Sequence, residues 1–160
     1  MAKETVRELI LSNIKTIFDD MVDGVDEYTI TWSKVTRGVE PEDVKRKNFA
    51  ISIFDEEEAK DPRVQYMDVR MRILLQFNVY LPKGINASIF LNDVLGQVQR
   101  RMREDFSRGG FALETDELGN ELFLDHERDR KLEGTVFYSI RYQHHIDDPR
   151  KTASNVFANP

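Results

Sequence analysis

The sequence predicts an α+β domain, a mainly antiparallel twisted sheet with a long central strand and two amphipathic helices packed on one of its faces. Three observations carry this. Two stretches repeat apolar residues at spacings of three and four, one long stretch alternates apolar and polar residues, and shorter alternating stretches follow it between Gly, Pro, Asn and Asp.

The first helix spans about Lys3 to Val22, with Val6, Leu9, Ile10, Ile14, Ile17, Phe18 and Met21 on one stripe and Gly24 as its stop. Glu27 to Val35 reads as a half-buried strand, because Tyr28, Ile30 and Trp32 alternate with Thr29, Thr31 and Ser33. Thr36 to Lys47, with Gly38 and Pro41, reads as a long loop, with a helical turn starting at Pro41 as its one candidate for regular structure. Asn48 to Phe54 reads as a second strand, and Asp55 to Arg63 as an acidic loop punctuated by Pro62.

The alternation over Val64 to Tyr80 is the clearest signal. Val69, Met71, Ile73, Leu75, Phe77 and Val79 hold one face, and Asp68, Arg70, Arg72, Gln76 and Asn78 hold the other. A strand of this length spans roughly 55 Å, whereas a compact domain of this size is only about 40 Å across. A bulge must bend the strand, or one end leaves the body as an arm.

Pro82 and Gly84 stop this strand. The second helix runs from about Ala87 to Phe106, with Phe90, Leu91, Val94, Leu95, Val98, Met102 and Phe106 facing inward. Arg100, Arg101 and Arg103 complement the negative end of its dipole, and Gly109 and Gly110 end it. Phe111 to Thr115, Glu121 to His126 and Thr135 to His145 read as strands. Asp116 to Asn120 is the hairpin turn between the first two, Asp129 to Gly134 is a looser turn, and Asp147-Asp148-Pro149 ends the last strand. The order is α, β, β, β, α, β, β, β. Residues 1–149 form one domain, and 150–160 a polar tail whose apolar anchors are Val156 and Phe157.

Composition bounds the function. A chain of 160 residues, 40% hydrophobic and 32% charged, has the balance of one globular domain with a heavily charged surface. There is no cysteine, which excludes disulfides, thiol catalysis and thiolate-bound zinc. Met1 to Lys15 reads as a charged amphipathic helix rather than a leader, and no apolar stretch is long enough to span a bilayer. The formal net charge of −6 and pI of about 5.2 lack the basic excess of a sequence-independent nucleic-acid binder.

The residues point to no catalytic constellation. His144 and His145 are adjacent on a strand, so their side chains point to opposite faces and cannot share a metal; with His126 they make a poor ligand set. The acids Asp55, Glu56, Glu57 and Glu58 lie together, without the separated pair that glycosidic chemistry needs. No nucleophile elbow, phosphate-binding loop or dinucleotide fingerprint is present, and no cofactor is implied. These four acids are read as a solvated loop or an electrostatic contact with a partner. Arg70 and Arg72 are read as the wet side of a sheet, paired with acids such as Glu121 or Asp125, or as an interface. Arg100, Arg101, Arg103 and Arg108 could bind phosphate, and are read as a solvated helix end or a contact with a neighbouring subunit or DNA. With Val156 and Phe157, these residues are the candidate interface.

The long strand ending at Pro82, the helix from Ala87 to Phe106 and the closing stretch FYSIRYQHHIDDP (Phe137 to Pro149), with the opening helix, resemble the tail terminator, or tail-completion, proteins of long-tailed bacteriophages, those of the T-five-like group above all. The resemblance covers about Met1 to Pro149 and carries no catalytic motif. It implies a non-enzymatic structural protein of the virion, at the head-proximal end of the tail, assembled in the host cytoplasm as a hexameric ring. Its implied partners are copies of itself, the tail-tube protein and the head-completion connector. DNA passes through without specific binding, and no membrane is involved. A tail-tube or neck subunit is the nearest alternative. From other classes, a small metal-dependent enzyme using His126 and His144, or a DNA-binding module built on the arginine helix, also remains open.

Overall fold

The computed structural model describes residues 3–41, 49–124 and 130–153. The elements are α1 (Val6–Asp19), β1 (Lys34–Arg37), β2 (Ala50–Pro62), β3 (Tyr66–Tyr80), α2 (Ala87–Arg103), β4 (Glu114–Phe123), β5 (Lys131–His145) and β6 (Asp148–Thr152). The strands form one sheet in the order β1-β2-β3-β5-β4, with β6 also paired to β5. Only β1 and β2 run parallel; every other pair is antiparallel. Both helices pack on one face of the sheet, as the sequence predicts.

Each helix starts where a side chain satisfies a free amide. Thr5 accepts from the Glu8 amide at 3.1 Å and Asn86 from the Ile89 amide at 3.1 Å. α1 buries Val6, Ile10, Leu11, Ile14 and Phe18, and α2 buries Leu91, Val94, Leu95, Val98 and Met102. These stripes meet Val69, Met71, Ile73, Leu75, Phe77 and Val79 of β3 and Leu132, Val136, Tyr138, Ile140 and Tyr142 of β5 in one core. Gly134 lies opposite Phe77, and a Cβ there would stand 2.3 Å from the Phe77 ring, so the ring occupies space that only glycine leaves.

Several expected boundaries move. Tyr28, Ile30 and Trp32 are buried, but their segment forms no strand; ladder pairing begins only at Lys34. Alternation records which side chains are buried and carries no information about backbone pairing. The expected acidic loop Asp55 to Arg63 is instead the outer half of β2, which continues through Pro62. The expected turn Asp116 to Asn120 lies inside the continuous strand β4, where the register shifts between Glu117 and Gly119. Glycine and acids that mark a turn also suit a bulged edge strand. α2 ends at Arg103, and Phe106, expected on the inner stripe, is 62% exposed. β5 begins at Lys131, inside the expected turn. After Asp147 the chain enters β6, so Lys151 and Thr152 belong to the sheet. The expectations for residues 42–48, for Asp125 and His126, and for Val156 and Phe157 concern positions outside the described residues.

The long strand is accommodated through its neighbours. β3 pairs without interruption with β5, from Tyr66–His145 to Tyr80–Lys131. β2 bulges between Asp55 and Glu58, opposite Arg72, and β4 bulges between Glu117 and Gly119, within two residues of that level. Bulges bend a strand and raise its local twist, and here they fall in the two neighbours of the β3–β5 pair, whose own register is unbroken.

Candidate functional site

At the margin of the helix-covered side of the sheet, two carboxylates of β2 turn inward. Asp55 and Glu58 are three residues apart, and a regular strand would point them to opposite faces. The intervening bulge adds one residue, so Asp55 aligns with Ile73 and Glu58 with Met71, both inward positions. There the Arg7 guanidinium of α1 holds both carboxylates. The Tyr142 hydroxyl donates to Glu58 at 2.8 Å. Burial is the largest influence on Asp55 and favours its neutral form, but the hydrogen bond and charge of Arg7, a backbone hydrogen bond and the charge of Arg37 together outweigh it and keep this carboxyl below its ordinary range. Arg37 of β1 likewise holds Glu8, mainly by hydrogen bonding, and keeps that carboxyl low. Two of the four clustered acids therefore fasten α1 to the sheet and are not free for a partner.

The arginines at the end of α2 also turn inward. Arg101 donates to the Ile17 carbonyl at 2.7 Å, tying α2 to α1. The guanidinium ions of Arg100 and Arg101 stand 4.6 and 5.5 Å from the Tyr28 ring centre. Burial, aided by the hydrogen bond to Glu104, pushes the Tyr28 hydroxyl up to about 12. Arg103 is the most exposed of the three, at 79%, and lies 3.9 Å from Glu117. Arg108, the fourth arginine of the expected patch, is fully buried and donates to the Met102 and Asp105 carbonyls, so Arg101 and Arg108 serve the fold while Arg103 stays exposed.

The opposite face of the sheet carries the remaining candidates. Among the described residues no helix covers it; the segment from Gly38 to Pro41 covers one corner, where Ser52 donates to the Val39 carbonyl and Asn78 to the Pro41 carbonyl. Arg70 and Arg72 project from β3 on this side. Among the described residues their partners are Glu114, at 3.5 Å from Arg70, and Glu56, at 3.5 Å from Arg72, rather than the expected Glu121. These are single, long, exposed contacts. Arg141 of β5, in contrast, grips Asp68 with two hydrogen bonds of 3.0 and 2.7 Å, which hold the Asp68 carboxyl below its usual range. Arg72 also stands 5.4 Å from the Phe137 ring centre. An open groove of about 340 Å³ crosses the strands here, lined by Glu57, Ala59, Arg70, Arg72, Leu118 and Ser139. It runs from the bulge of β2 to that of β4, where Leu118 is 56% exposed.

Among the described residues no group of three or more His, Asp and Glu is placed to hold a metal, and no helix is long and apolar enough to cross a membrane. The His144 ring lies on the buried side, hydrogen-bonded to the His145 carbonyl, while His145 accepts from the Asp147 amide. The arrangement offers exchangeable guanidinium and carboxylate groups around a small apolar centre, which is the chemistry of recognition between surfaces.

Arg7, Asp116, Leu118, Phe137 and Arg141 were not singled out from sequence. For Asp116 and Leu118 the cause is the turn reading of DELGN. For Arg7 a signal existed: a cation among the inward positions of the first helix turn needs a buried counter-ion. No protein-family model matches the chain, and no curated protein matches it.

Proposed function

We propose that this chain is a structural subunit of a tail terminator ring, which closes the tail tube of a long-tailed phage as a hexamer, stops tube growth and presents its far side to the head connector. One observation carries the reading: the sheet has two unlike open flanks. Beyond Ile53, the outer half of β2 has no strand beside it among the described residues, and the far side of β4 has none either. A ring closed head to tail needs two different surfaces on each copy, because the front of one meets the back of the next.

The chemistry of the flanks fits a controlled contact. Glu56, Glu57 and Asp61 line one, and Asp116 and Glu121 the other, and both strands are bulged. Like charge and bulges oppose direct strand-to-strand pairing of two copies, which would otherwise extend the sheet without limit. Subunits then meet through side chains and loops, and growth stops at one closed ring. A net acidic surface around a central passage would also repel duplex DNA and let it slide.

Electron microscopy of the purified chain mixed with tail-tube protein tests the reading. The expected result is tubes of fixed end structure, each capped by a single ring of this chain. Open-ended filaments made by this chain alone would instead mark a tube subunit and end the proposal.

A further inference from the structure

The open face has a symmetry of its own. In one row across the sheet the aligned residues are Arg72 of β3, Ser139 of β5 and Asp116 of β4; in the next they are Arg70, Arg141 and Glu114. Both rows place a cation on β3 and a carboxylate on β4, with β5 midway. The row on the other side is Leu74, Phe137 and Gly119, with Leu118 exposed beside it.

We infer that a second copy of this chain packs against this face about a two-fold axis running along β5. Such an axis maps the β3 of one copy onto the β4 of the other. Arg72 then meets the partner copy's carboxylate at position 116, Arg70 meets the one at 114, and the two Phe137 rings meet at the centre. The symmetry repeats each ion pair, so one contact makes four. Neighbouring strands are about 4.8 Å apart, which places Arg72 and Asp116 about 5 Å to either side of the axis. Two sheets pack face to face about 10 Å apart and within about 30°, a gap that an arginine and an aspartate span together.

The internal contacts of these groups do not compete strongly. Arg70 and Arg72 each make one exposed ion pair of 3.5 Å, a kind that adds little to stability and exchanges readily. Arg141 is the one cation that the axis brings against its own copy, and Asp68 already neutralises it with two hydrogen bonds. The strand spacing and rise give a contact of about 600 Å² per copy, below the usual size of a stable interface, so dissociation in the micromolar range is expected. The contact uses side chains of the face, Asp116 of the β4 flank among them, and leaves the backbone edges of β2 and β4 free. It therefore stands independently of ring closure and goes beyond it.

Sedimentation equilibrium of the whole chain, from about 1 to about 300 µM, tests this with Arg72→Asp, Asp116→Arg and the double variant. Each single change sets like charges against each other twice per dimer, and the dissociation constant should rise about a hundredfold. The double variant restores every pair with its polarity reversed and should return to within about threefold of the parent. Circular dichroism melts verify folding, and Arg70→Glu with Glu114→Arg supplies a second pair under the same logic. A parent chain that stays monomeric throughout, single changes without effect, or a double variant no better than the singles would each overturn the inference.

Discussion

Along β3, the side chains that face the helices and those that face away obey different rules. Val69, Met71, Ile73, Leu75, Phe77 and Val79 are fully enclosed by α1, α2 and β5. Asp68, Arg70, Arg72, Leu74 and Gln76 stand on the other face, which no helix among the described residues covers. On the covered face, position is fixed by volume and by obligatory counter-charges. On the open face it is fixed by little more than which groups a partner would meet. The first specifies the fold, and the second remains available for assembly.

Substituting Gly134 by alanine should break the covered face most severely. The new methyl collides with the Phe77 ring, and urea unfolding should register a loss of about 3 kcal/mol. Adding Phe77→Leu in the same chain should recover part of it; unchanged stability in Gly134→Ala would contradict the packing described here.

Arg7→Ala comes next. It leaves Asp55 and Glu58 beneath α1 without their cation and should cost about 1–2 kcal/mol. Arg7→Lys should recover only some of this, because one ammonium cannot serve two carboxylates as a fork does.

Acid should sharpen the comparison further. Asp55, Asp68 and Glu8 all titrate lower in the folded chain than their ordinary values of 3.8, 3.8 and 4.5. The unfolded chain therefore takes up protons first. The stability these groups contribute is fully present above the ordinary carboxylate range and is lost as pH falls through and below it, toward the depressed folded values. Melting temperatures from pH 7 down to about pH 3 should fall mainly below about pH 4.5, and Arg141→Gln should flatten that dependence by freeing Asp68.

The smallest effect belongs to the open face. Arg72→Ala should change monomer stability by less than about 0.5 kcal/mol, because its ion pair is exposed, long and single. A large loss in dilute solution would mean that this side chain serves the fold after all.

The same contrast governs what was legible in the sequence. β3 was plain because one of its faces is wholly enclosed, which forces strict alternation. Both helix stripes were plain for the same reason. The outer half of β2 and the middle of β4 were misread because each has an open flank and a bulge, where acids and glycine satisfy the edge as well as they would a turn. Tyr28, Ile30 and Trp32 showed the limit of alternation, since they are buried without being in a ladder. Arg70 and Arg72 were legible as polar members of β3, but their relation to Asp116 and Glu114 depends on the register of β4. Asp55 and Glu58 were visible as charge and invisible as an internal clamp, because only the bulge turns both toward Arg7.

The central claim is that the open face and the two bulged flanks, rather than a pocket, are the working surface of this protein. Hydrogen–deuterium exchange on the free chain and on the chain assembled with tail-tube protein measures this directly. The account predicts new protection in Phe54–Pro62 or Glu114–Phe123, with α1 and α2 unchanged. Assembly that leaves both segments exchanging as before and protects the helices instead would contradict it.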